Sequence, residues 1–503
     1  MPSLRFMPLI VVALVTIQGC APSIRQVYLK NADRPDQAVA FFNELDNIVE
    51  AGSKENVAYA RVPGFPYLKA DRFLAELKNH LTSESRRNDW VRYLQKRDLE
   101  VRHSEINALS QKEIEQLLEK TNISGPSVHS TVYEYYRRYS KILYEHDKQQ
   151  QNFVEALMES VSVADDYSTA MRTFGLYPLA YLPVVYFSDR AFDKIRDWHQ
   201  LPLDAFNNQG ELISYKSALS NSNASASAVL GSADYDSFGL PVLSDQEIQL
   251  IAQAYAPVIL QDTAADYDRI GTFEWKGTQP TLNTESATVY YYLTYGLIEK
   301  QPVIQINYSF WYTEREGELA PWFEKGEFDG LTIRFSLTRT GDPVMLDIMN
   351  NCGCYHFFVP NAEFVQSVKE LDFEIDPLVP KWLPKFDNDS PLLFRVNSGW
   401  HQVEHIASEK LPTESLSYEL VPYQALETLP TPQGNTVNLF DEEGIMKESY
   451  RIEPYIFFSM GIPKVGYMRQ RGNHPIKMLG RDHFDNPLLF NRNFTFKKLS
   501  DTN

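Results

Sequence analysis

Near residue 244 the hydrophobic pattern of this chain changes period, and no other feature constrains its fold as strongly. In Ser244-Asp245-Gln246-Glu247 a Ser can accept an early helical amide and the Glu three residues on can return the bond; Ile248, Ile251 and Tyr255 then follow one helical face. Further on the period is two. Ile304, Ile306, Tyr308 and Phe310 alternate with Gln305, Asn307, Ser309 and Trp311, and Leu331, Ile333, Phe335 and Leu337 alternate with Thr332, Arg334, Ser336 and Thr338. Successive strand side chains point to opposite faces, so this pattern predicts a sheet with one buried face. Gly341-Asp342-Pro343 supplies a turn into Val344, Leu346 and Ile348, and further strand-like stretches follow at 392–397, 417–421 and 454–459. Many short strands broken by Pro-rich turns predict a mostly antiparallel, β-sandwich-like domain over 241–503.

Upstream the helical period holds. Phe73, Leu74, Leu77 and Leu81 share one face, as do Trp90, Tyr93 and Leu94. Ser110-Gln111-Lys112-Glu113 is a second capping box, opening a helix that carries Ile114, Leu117 and Leu118. A long pattern runs over 129–163. The uncharged run 173–187 contains Pro178 and Pro183, and fifteen residues with two prolines are too short and too broken to span a bilayer as a helix. Its expected place is inside the helical domain; the alternative is an apolar surface resting on a membrane or partner. These signals assign 37–216 to a helical domain. The Ser/Asn/Ala-rich stretch 217–240 is assigned as the linker, because small polar residues bury little. The fold class is α+β and multidomain, as a length of 503 residues also suggests.

Acidic residues outnumber basic ones by 66 to 48, which leaves −18 and no Lys/Arg block that could follow a phosphate backbone, so nucleic acid is excluded as a partner. At the N-terminus, Arg5, the apolar run 6–17 and Gln18-Gly19-Cys20 compose a signal peptide. Ile17-Gln18-Gly19-Cys20 resembles the lipobox of bacterial lipoproteins. That resemblance implies cleavage after residue 19, acylation of Cys20 and a lipidated tether over 20–36. With Ala21 rather than Asp next, it also implies the outer membrane, the periplasmic face being the expected side. Each buried methylene of the acyl chains contributes about 0.8 kcal/mol to anchoring.

With Cys20 so used, Cys352 and Cys354 remain, inside Asn350-Asn351-Cys352-Gly353-Cys354-Tyr355-His356. Three readings stay open for this cluster. Cys352, Cys354 and His356 could bind zinc or another soft metal; the two thiols could form a small strained disulfide; or all three could be structural. A second cluster, His401-Gln402-Val403-Glu404-His405, resembles the His-x-x-Glu-His motif of inverted zinc metallopeptidases. The resemblance implies His401 and His405 as ligands and Glu404 as general base. That family takes a further Glu ligand, where this chain offers Asp482. Ser398-Gly399 and the alternation of 401, 403 and 405 suit a hairpin strand equally well. In the C-terminal tail, Arg469, Arg471, His474, Arg481 and His483 could receive an anionic group or pin a final loop.

The expected function is that of an envelope lipoprotein serving as a periplasmic binding or assembly module. Its groove would be aromatic-lined, given 29 Tyr and 29 Phe, and its partner an envelope protein or a glycan. The alternative is a zinc-dependent envelope hydrolase built on the Cys/His clusters.

Overall fold

The structure, a computed structural model, describes residues 33–219, 223–371, 374–387, 391–409 and 414–498. The lipobox and Cys20 lie outside the described residues. Among the described residues six helices come first: α1 (Asp33–Ala51), α2 (Arg72–Leu77), α3 (Glu84–Asn107), α4 (Gln111–Lys120), α5 (His129–Asp147) and α6 (Phe153–Ser160). Asp71, Ser83 and Ser110 each accept a backbone amide at a helix start, Ser110 within the expected capping box. Phe41, Phe42, Trp90, Leu117 and Tyr136 join one core among these helices. The long pattern over 129–163 divides into α5 and α6, since the intervening Lys148-Gln149-Gln150-Gln151-Asn152 has nothing apolar to bury.

Two further helices, α7 (Thr169–Phe174) and α8 (Tyr177–Gln200), correct the reading of the proline-containing run. Rather than a broken, buried segment, it is largely helix. Pro178 falls in the first turn of α8, where its missing amide would have had no helical partner, and Pro183 is carried inside. Far from being buried, Leu179 is 73% and Leu182 72% exposed. Among the described residues no helix is long and apolar enough to cross a membrane.

The rest of the molecule is organised by one ten-stranded sheet. Its strands are β1 (Glu211–Ser217), β2 (Val258–Thr263), β3 (Thr288–Ile298), β4 (Gln301–Arg315), β5 (Gly326–Leu337), β6 (Pro343–Asn350), β7 (Phe357–Pro360), β8 (Leu392–Val396), β9 (Val403–Ser408) and β10 (Leu416–Pro422). The spatial order is β7-β6-β5-β4-β3-β10-β1-β2-β8-β9. The sheet is mixed: β10 runs parallel to β1 and β3, β8 runs parallel to β2, and the other pairs are antiparallel. β1 precedes the Ser/Asn/Ala-rich stretch, and residues within that stretch form α9 (Asn223–Ser232), ahead of α10 (Asp245–Ala254). Residues 454–459, expected as a strand, instead form the end of a short helix, α11 (Glu453–Ile456), and a 3-10 turn.

In place of the expected mostly antiparallel sandwich, one mixed sheet curls on itself. In a flat sheet β5 and β8, six places apart, would be separated by roughly 29 Å. Yet the rings of Phe335 and Phe394 on these strands have centroids 6.4 Å apart. The sheet therefore curls around a core to which all ten strands contribute, together with Ile195 of α8, Leu230 of α9 and Ile251 of α10.

The alternation in β4 and β5 is as read, but its polar face is not exposed. Gln305, Asn307, Ser309, Thr332, Arg334 and Ser336 are all buried. Their polar groups are satisfied from within: the Arg334 guanidinium forks onto Asp347 at 2.8 and 2.5 Å, and Asn307 Nδ2 donates to Thr294 Oγ1 at 2.9 Å. A periodicity of polar residues predicts a face, not whether water reaches it.

Candidate functional site

Two regions meet at Glu324, which accepts from both Arg315 and Tyr355, the latter in the β6–β7 connection. The first is a closed cluster at one end of the curled sheet. Arg315, at the end of β4, forks onto Asp329 of β5 with two bonds of 2.8 Å and reaches Glu324 at 2.7 Å. His401, in the turn between β8 and β9, places Nδ1 2.9 Å from Asp329 and Nε2 3.1 Å from Asp268. Its ring stacks on Tyr312 with centroids 3.8 Å apart. Ser398 Oγ and the amides of Gly399, Ala264 and Ala265 also donate to Asp268. Burial alone would depress the imidazolium, but the hydrogen bonds to Asp268 and Asp329 outweigh it and raise the His401 pKa. Asp329 is held far below the usual carboxylate range, because Arg315 and His401 overcome its burial.

These contacts decide the fate of the His-x-x-Glu-His pentamer. His401 lies just outside β9, while Glu404 and His405 lie within it, so the hairpin alternative holds and no helix aligns the two imidazoles. Glu404 is taken by Arg395 Nε at 2.6 Å, and His405 packs on the ring of Phe206, where burial lowers its pKa to about 4. Asp482 accepts from Asn486 at 2.7 Å in the C-terminal loop. Among the described residues no group of three or more His, Cys, Asp or Glu is disposed to hold a metal ion.

The tail residues pin loops to the body. Arg471 forks onto Glu427 with two 2.8 Å bonds, His474 meets the Asn351 carbonyl at 3.2 Å, and Arg469 donates to the Pro463 carbonyl at 2.5 Å. Arg481 pairs with Asp165, and His483 lies 3.1 Å from Asp166. Four of the five thus hold loops in place through side-chain or backbone partners, while Arg469, bonded only to carbonyls, keeps a buried Nε with no hydrogen-bond partner among the described residues.

The second region is a cavity of about 580 Å³, and the Cys-Gly-Cys-Tyr-His turn forms part of its wall. Phe187, Ala191 and Phe192 of α8, Phe323, Ile456, Phe457 and Leu479 line most of it, so the wall is mainly apolar. The turn follows directly from β6. Gly353 adopts φ +88°, and a Cβ there would come within 2.4 Å of the Pro475 carbonyl, so the turn needs glycine. Cys352 is buried, Cys354 is half-buried, and both are free thiols. The Cys354 amide donates to Cys352 Sγ at 3.4 Å. His356 Nε2 lies 2.9 Å from Asp347, and burial outweighs that carboxylate to lower its pKa.

Sequence reasoning missed two carboxyls on this wall. Glu324 is shared with the closed cluster: it accepts from Arg315, from Trp400 Nε1 at 2.9 Å and from the Tyr355 hydroxyl. Glu453 is different. It is buried at the start of α11, and among the described residues no hydrogen bond or ion pair reaches its carboxyl. Burial, with Glu324 and Cys352 nearby, pushes its pKa well above the ordinary carboxylate value. The backbone crowds this carboxyl, since a Cβ on Gly466 would fall 1.8 Å from Glu453 Oε2. The only signal in the sequence was an acidic residue between apolar ones at Ile452-Glu453-Pro454-Tyr455.

Around the mouth the surface is unusually apolar. Phe187 of α8, Trp322 and Ile456 of α11 are 67%, 70% and 45% exposed and also line the cavity, forming an apolar collar, and Leu179 and Leu182 add exposed apolar surface elsewhere on α8. Single exposed apolar residues need no explanation; residues from three chain segments surrounding one opening do.

No known protein family, curated protein or solved structure matches the chain.

Proposed function

We propose that this protein is an envelope lipoprotein whose cavity binds the apolar chain of an amphiphile at a membrane surface. The observation that carries the reading is the continuity between a mainly apolar cavity of about 580 Å³ and an exposed apolar collar at its mouth. That volume falls within the range of ligand sites, roughly 300–1,000 Å³, in which a few polar groups fix orientation. Here those groups are Glu453, Tyr355, Trp400 and the thiols, gathered on one wall. A glycan would leave its hydroxyls unpaired against such a lining, at a cost of about 1–3 kcal/mol each. An acyl chain would not.

The collar suits a helix lying in a membrane interface, with its apolar side among the lipid chains. The proposed acylation at Cys20 agrees with this, because only twelve residues separate Cys20 from α1 and they span at most about 40 Å. The zinc hydrolase alternative has less support, since His401 and Glu404 are already committed to buried partners.

The test is displacement of a fluorescent fatty acid from the full chain by phospholipid, with mass spectrometry of whatever lipid co-purifies. Stoichiometric binding, weakened at least tenfold in Ala191→Trp, which fills the cavity, is the expected result. No bound amphiphile and no displacement would sink the proposal.

A further inference from the structure

We propose that Cys352 and Cys354 form a thiol–disulfide exchange site opening into the cavity, with Glu453 carrying protons, that passes its disulfide to a dithiol partner. Three independent features of the turn point there. The two sulfurs are brought together by the left-handed Gly353, and each has the other as its thiol neighbour: the Cys354 amide and thiol both donate toward Cys352. The surroundings of Cys352 are electropositive. Arg315, Arg451 and Arg469 all lie close enough for its charge to bear on theirs, and the last two are held by backbone carbonyls. Finally, both sulfurs and the unpaired Glu453 carboxyl share the cavity wall.

A cysteine acting only as a small core hydrophobe needs none of this. Burial by itself would raise both thiols. For Cys352 the hydrogen bond from Cys354 and the Arg315 charge outweigh burial and lower its pKa, whereas Cys354, donor to that bond and also buried, is pushed up. The pair is thus divided into a more acidic thiol, Cys352, and a less acidic neighbour, Cys354.

A disulfide closed across one intervening residue is a small strained ring and readily reduced, so the oxidised pair is a disulfide donor. A partner thiolate attacks Sγ of Cys354, the more accessible sulfur. The Cys352–Cys354 bond breaks, and Cys352 leaves as the thiolate that the three guanidinia stabilise. The partner's second thiol then attacks its own sulfur in the mixed disulfide, which releases Cys354. Glu453 gives its proton to Cys354 and regains one from the partner's second thiol. In total, one protein disulfide and two partner thiols become two protein thiols and one partner disulfide. Exchange with another disulfide compound restores the oxidised pair.

The test follows the reverse reaction by intact mass, using oxidised glutathione and the reduced full-length chain carrying Cys20→Ser throughout, so that Cys352 and Cys354 are its only thiols and this background serves as wild type. Wild type should lose two hydrogens and keep no adduct. Cys352→Ser should hold one glutathione on Cys354, since the resolving sulfur is gone. Cys354→Ser should react at least tenfold more slowly, because Cys352 is buried. Glu453→Gln should slow ring closure several-fold. The proposal is overturned if wild type keeps both thiols, if the two Ser variants react at equal rates, or if stoichiometric zinc protects both cysteines. The wild-type result does not depend on any variant folding, and none of these readings depends on amphiphile binding.

Discussion

The closed cluster around His401 and the cavity around Cys354 border one another through Glu324, yet they handle buried polarity in opposite ways. In the first, every charge meets a partner: Arg315 with Asp329 and Glu324, His401 with Asp329 and Asp268. In the second, a buried carboxyl without a hydrogen bond or ion pair among the described residues and two free thiols share the wall of a cavity. The first looked catalytic in the sequence, and its geometry is that of a fastener joining β4, β5 and the β8–β9 turn. The comparison teaches that a reactive residue type signals chemistry only when its bonding capacity is unspent.

If that contrast is right, Arg315→Met should have the largest effect. It removes the guanidinium from two buried carboxylates, leaving Asp329 with His401 and Glu324 with only the neutral donors Trp400 and Tyr355, and should cost about 3–5 kcal/mol in a denaturant titration. A loss under about 1 kcal/mol would mean that the cluster is no fastener.

His401→Gln should come next, at about 2–3 kcal/mol near pH 6. Its folded pKa is raised above the ordinary 6.5, so the stability due to the charged imidazole is complete below 6.5 and lost as pH rises through the raised value. Stability curves of wild type and variant should therefore converge toward alkaline pH, and parallel curves would show that the ring is neutral.

Glu453→Gln should act in the opposite direction. Above the ordinary 4.5 the unfolded chain ionises this carboxyl while the folded chain resists, so wild type loses stability as pH rises through that window. The variant should unfold at a higher denaturant midpoint at pH 7, with the gap closing at pH 4. A less stable variant would show that the carboxyl has a partner.

The smallest effect on stability should come from Leu179→Ser with Leu182→Ser, within about 0.5 kcal/mol for each exposed site. The same pair should abolish sedimentation of the unacylated chain with phosphatidylethanolamine/phosphatidylglycerol vesicles. Retained sedimentation would remove α8 from the membrane reading.

Much of the local structure was legible because it rests on nearest-neighbour physics. The capping boxes at Ser110 and Ser244 and the alternation in β4 and β5 each depend on residues within a few positions. The position of Cys352 just past the end of β6 followed from the same hairpin. Less legible was α8, where two prolines argued against a helix that tolerates both, and where apolar composition argued for burial. Nothing local says that an apolar face lacks a cover; that depends on which elements pack against it.

By itself, the sequence determined the helical first part, the strands, the turn that brings Cys352 and Cys354 together, and the chemistry those side chains can offer. Only the tertiary structure decided which chemistry is spent. Curling the sheet brought Asp268, Asp329 and His401 together from positions more than sixty residues apart along the chain and satisfied them. The same folding placed Glu453 beside Cys352 without a partner and left the apolar side of α8 uncovered. Hydrogen bonding and desolvation act between neighbours in space, and spatial neighbours of such sequence separation are set by the fold.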